Sequence, residues 1–114
     1  MSKVKDCFRI PPPGGIVLKG RLGRALALSV ENRLKQVNYS HLVEPFRLRN
    51  ETDGRWRCEF WGKIVRSAIR SLHGRPDPEL ARQVRATVAE LLETQTGDGC
   101  ISSYPVPLQT GDWD

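Results

Sequence analysis

The stretch CEFWGKIVRSAIRSLHGRPDPELARQVRATVAELLETQ, residues 58–95, carries two helix signatures back to back. In its second half Leu80, Val84, Val88, Leu91 and Leu92 fall on one face at helical spacing. Asp77 stands ahead of them as a side-chain N-cap. Pro78 takes the first helical position, where its fixed φ suits the helix and its missing N–H has no partner to lose. Gly97 follows as a stop, so the pattern predicts a helix over 77–95. In the first half Phe60, Trp61, Ile64, Val65, Ala68, Ile69 and Leu72 are apolar, which predicts a helix over 58–73 ended by Gly74. Their adjacent pairs make a stripe wider than a two-helix seam requires, so this helix needs cover from more than one neighbour. Only GRP separates the two patterns, and a connection that short predicts an antiparallel hairpin.

Upstream, RLGRALALSVENRLKQV (residues 21–37) places Leu22, Leu26, Val30, Leu34 and Val37 at steps of four, four, four and three, which predicts another amphipathic helix. Between it and the hairpin, residues 38–57 read as a connector, because Pro45 should stop a helix and ETDG has turn chemistry. Tyr39, Leu42, Phe46 and Trp56 argue that something covers this connector. Residues 1–20 read as an irregular segment. IPPPGG excludes a helix there, and IVLKG allows a short strand. No strand–helix alternation, repeat or low-complexity run is present, so the expected fold class is all-α.

Composition narrows the function classes. The chain has 114 residues, room for one domain at most, with 39% hydrophobic and 27% charged residues, near the globular norm. The net charge of +5 comes from basic residues spread along the chain, with no run of five, so a nucleic-acid partner is not expected. Cys7, Cys58 and Cys100 are odd in number and widely spaced, without a CxxC pair. Reduced thiols in a cytoplasmic protein are the simplest reading. The N-terminus has no apolar signal core, and no apolar run approaches the ~20 residues that would span a membrane.

Few residues suggest chemistry. Glu59 and Lys63 lie one turn apart and are flanked by Trp56 and Trp61. Flat aromatic faces beside opposite charges suit a sugar. An exposed ion pair beside two core tryptophans is the commoner reading of the same spacing. Asp98, in TGDGCISSYP, either points a carboxylate into a cleft at the end of a helix or satisfies the N–H groups of its own turn. Asp112 and Asp114, around Trp113, either cap a following helix or hold sugar hydroxyls. His41 and His73 have no His or Cys at ligand spacing, and no Walker loop, GxGxxG or Ser/His/Asp set occurs.

The motifs ENRLKQVNYSHLVEPFRLR, WRCEFWGKIVRSAIRSL, LLETQTGDGCISSYP and TGDWD occur in that order. Together they resemble the N-terminal part of the β-L-arabinofuranosidase-like glycosidases, glycoside hydrolase family 127 and its relatives, from about Gly20 onward. The resemblance implies that residues 21–114 form the first helices of an (α/α)6 toroid, a six-hairpin ring around a sugar site. Twelve helices with their loops need at least about 200–300 residues. The expectation is therefore an incomplete catalytic domain, inactive alone, acting within the full enzyme on L-arabinofuranosyl or related side chains of a carbohydrate substrate.

By the same resemblance the family uses a cysteine nucleophile near a zinc ion and a glutamate acid/base, all downstream of the matched region. No catalytic residue or metal ligand is therefore expected in this chain, and none of its cysteines takes that role. Glu59, Asp98, Asp112, Trp113 and Asp114 sit in motifs bordering the family's sugar pocket and are the candidates for substrate contact. Cys100 stands where the family commonly has an aromatic residue, and Cys58 where it has a small one. The alternative class is a free-standing small helical binding module, using apolar surface its helices leave uncovered.

Overall fold

The computed structural model describes residues 9–51 and 57–109, and the described part is all-helical. Four α-helices follow one another: α1 (Gly20–Ser29), α2 (Tyr39–Leu48), α3 (Arg57–Gly74) and α4 (Pro78–Leu92). A π-helical turn, Val30–Leu34, extends α1, and a short 3-10 turn, Val106–Leu108, follows the last loop. Residues 16–19, where a short strand had been allowed, are irregular and solvent-exposed, with no strand among the described residues to pair with.

Helices α3 and α4 form the predicted hairpin. Asp77 caps α4 by accepting from the Leu80 N–H at 2.9 Å, with Pro78 in the first turn. Near the other end, the Trp61 Nε1–H donates to Thr87 Oγ1 at 2.9 Å, which fixes the antiparallel register. The helix of α4 stops at Leu92, three residues short of the predicted end, and Thr94 and Gln95 continue as tight turns onto the carbonyls of Leu91 and Leu92.

The connector reading of residues 38–57 is overturned by α2. Asn38 caps this helix, its side chain accepting from the His41 N–H at 3.1 Å. Pro45 lies inside the helix. The bond it forfeits would have gone to the carbonyl of His41, an exposed residue. The helix tolerates that loss because its other face is buried: Tyr39, Val43 and Phe46 pack against α3 and α4.

The helix predicted over 21–37 spans 20–34 and widens in its second half, where the Lys35 N–H reaches the Val30 carbonyl at 2.9 Å. Steps of four outrun a 3.6-residue turn, and the wider turn brings Leu34 back to the core. Two apolar clusters result. One joins Leu34 and Tyr39 to Val65, Ala68, Leu80 and Val84. The other joins Val43 and Phe46 to Leu91, and Trp61 packs against both.

Candidate functional site

Topology gathers polar groups at one end of the bundle. The C-terminus of α2, the N-terminus of α3 and the C-terminus of α4 meet there. Arg49 follows α2 with φ +46°, a left-handed conformation uncommon for a side chain larger than glycine. Its Nη2 donates to the Thr94 carbonyl just past α4, which supplies a cation to carbonyls that have no helical partner. Two residues on, the Glu51 N–H donates to the Ser103 carbonyl at 3.2 Å, and the Ser103 hydroxyl donates to the Glu51 carboxylate. Both residues are almost fully buried, so this double tie clamps the loop after α4 to the segment after α2.

Asp98 sits in that loop. Its carboxylate accepts from the Thr96 hydroxyl and, at 3.3 Å, from the Cys100 N–H. These two bonds, the hydroxyl first, hold its pKa below the usual carboxylate range, with a smaller contribution from the charge of Arg49. Asp98 is thus kept ionised on an exposed turn, which is the turn-satisfying arrangement of the two read from its sequence. Gly99, at φ +92°, takes the sharp corner.

Glu59 lies in the first turn of α3, at the same end as Asp98. It is exposed and pairs with Lys63 at 2.8 Å, the i,i+4 ion pair. Trp61, half-buried, turns its indole N–H inward to Thr87 and packs in the core. Trp56, Asp112, Trp113 and Asp114 lie outside the described residues. Cys58 and Cys100 are half-buried free thiols. Among the described residues no three His, Cys, Asp or Glu side chains gather as a metal site. No described helix is long and apolar enough to cross a membrane.

Arg49, Glu51 and Ser103 escaped the sequence reading. The signal for α2 was present, since Tyr39, Leu42, Val43 and Phe46 are spaced i, i+3, i+4 and i+7 behind an Asn cap. Nothing local pairs Glu51 with Ser103, which lie 52 positions apart. A second polar cluster was also missed. Lys35 binds Asp77 at 2.9 Å, Glu31 at 3.0 Å and Glu79 at 3.2 Å, joining the π turn to the start of α4. These carboxylates, Asp77 foremost, raise the Lys35 pKa above its ordinary value. The cap bond from Leu80 and then Lys35 lower that of Asp77.

Compared with known proteins, the chain matches no family model, no curated protein and no solved structure.

Proposed function

We propose that this chain is the N-terminal portion of a cytoplasmic glycoside hydrolase of the (α/α)6 type, acting on L-arabinofuranosyl or related sugar side chains. The observation that carries the reading is the polar end of the bundle, where Glu59 stands in the first turn of α3 and Asp98 in the loop that follows α4. The order of the four motifs adds to it. Behind Asp98 the loop is clamped by the Glu51–Ser103 tie and by Arg49, which suits a pre-organised wall for sugar hydroxyls.

In this reading Asp98 accepts a hydroxyl hydrogen bond with its ionised carboxylate, and Glu59 exchanges Lys63 for another. Neither is assigned the bond-breaking role. Glycosidic cleavage uses a pair of groups set across the scissile bond, and those groups belong to the remainder of the proposed enzyme. The test is kinetic, on the protein translated from the complete reading frame with an aryl L-arabinofuranoside. Asp98→Asn and Glu59→Gln should each lower kcat/KM by about tenfold, the loss of a hydrogen bond to a charged group, mainly through KM. The 114-residue chain alone should be inactive. Absence of hydrolysis by the complete protein, or activity untouched by both substitutions, would count against the proposal.

The second reading, a helical binding module, draws on apolar side chains of α1 and the segment before it that stand more than half exposed: Ile16, Val17, Leu22 and Leu28.

A further inference from the structure

A cavity of about 620 Å³ lies between the segment Gly14–Leu18, helix α1 and the α3–α4 turn. This is within the range of about 300–1,000 Å³ typical of small-molecule sites. The segment is held over it by the Gly14 N–H, which donates to the His73 carbonyl at 2.8 Å. Ile16, Leu18, Leu26, Ala27, Val30 and Leu80 supply apolar walls from three separate elements. Several of these side chains, Ile16 and Leu18 among them, are exposed and would be covered by an occupant.

Four charged side chains line the same cavity, and they are not equivalent. Asp77 is engaged on both oxygens, by the Leu80 N–H and by Lys35, and Glu31 is engaged by Lys35. Arg70 and Arg75 have no side-chain hydrogen bond or ion pair among the described residues, and both are exposed. A planar guanidinium is suited to grip a carboxylate through two parallel bonds.

We infer that this cavity binds a carboxylate-headed amphiphile of medium chain length, with the chain along the apolar walls and the head group on Arg70 and Arg75. A single head group fits better than an acidic peptide. Lys35 is already taken up by Glu31, Asp77 and Glu79, so Arg70 and Arg75 are the cavity-lining cations without a carboxylate partner among the described residues, enough for one head group and not for a run of carboxylates. The site is separate from the polar end of the bundle and does not depend on the glycosidase reading.

The test is an amide NMR titration of the chain with decanoate below its micelle threshold, compared with decanol and decyltrimethylammonium. Decanoate should shift the amides of Gly14, Leu18, Leu26 and Ala27 and leave those of Asp98 and Cys100 in place. Decanol should bind the same amides about tenfold more weakly, the loss of a charge-assisted bond, and the cationic amphiphile more weakly still. Arg70→Gln/Arg75→Gln should reduce decanoate to the affinity of decanol. Ala27→Trp, which fills the cavity, should abolish binding of both, with circular dichroism verifying the fold. Should that variant not fold, the arginine variant decides alone. The inference is overturned by equal affinity for all three amphiphiles, by no shift at these amides, by decanoate binding that the arginine variant retains, or by an acidic peptide shifting these amides where decanoate does not.

Discussion

Helices α4 and α1 are alike as sequences and unlike as structures. Both carry leucine and valine at helical spacing, and both read as amphipathic. Helix α4 buries Leu80, Val84, Thr87 and Leu91, and its neighbours α2 and α3 cover it from two sides. Helix α1 buries nothing over Gly20–Ser29, and Leu22 and Leu28 are 69% and 59% exposed. Only its π-helical extension reaches the core, through Leu34. An apolar stripe shows that a helix is built to be covered. It does not show that the cover comes from the same stretch of chain.

This contrast predicts a graded response to substitution. Leu80→Ala should destabilise most, by about 2–5 kcal/mol, because the leucine is fully buried and a cavity replaces it; chemical denaturation measures the loss. Ser103→Ala should come next, at about 1–3 kcal/mol, since it removes a donor from the buried Glu51 carboxylate at the clamp. Faster hydrogen exchange in the loop after α4 would accompany it. At the other extreme, Leu22→Ala should change stability by no more than about 0.5 kcal/mol, the range for surface substitutions. A large effect at Leu22 would mean that α1 is covered after all, and would break the contrast.

The junction between the two regions should respond to pH. Asp77 has a lowered pKa in the folded chain, so the unfolded state binds more protons as pH falls. Its contribution is fully present above the unfolded value, about 3.9, and is lost as pH drops through the folded one. Lys35 is the opposite case. Its raised pKa makes its contribution complete below about 10.4 and lost only as pH rises through a still higher value. Stability measured by chemical denaturation from pH 6 to pH 2 should therefore fall as Asp77 protonates, and Lys35→Met should blunt that acid dependence.

The parts visible in the sequence were those with local causes. The α3–α4 hairpin followed from Asp77, Pro78, Gly74 and two apolar stripes, and its cap has the expected geometry. Helix α2 was hidden by Pro45, whose local penalty is outweighed by burying Val43 and Phe46 against distant residues. At the candidate site, Glu59 and Asp98 could be picked out by motif. The side chains that brace their end of the bundle could not, because Arg49 with Thr94 and Glu51 with Ser103 are joined only by the fold.

The proposed ring gives α1 the neighbours that the described residues do not supply. The most direct test is to read the coding DNA beyond codon 114. The account predicts an open frame, intact or resumed after one frameshift, running into a long series of amphipathic helices with a later glutamate and cysteine cluster. A stop codon followed by unrelated sequence would contradict it, and α1 would then be the face of a small binding module.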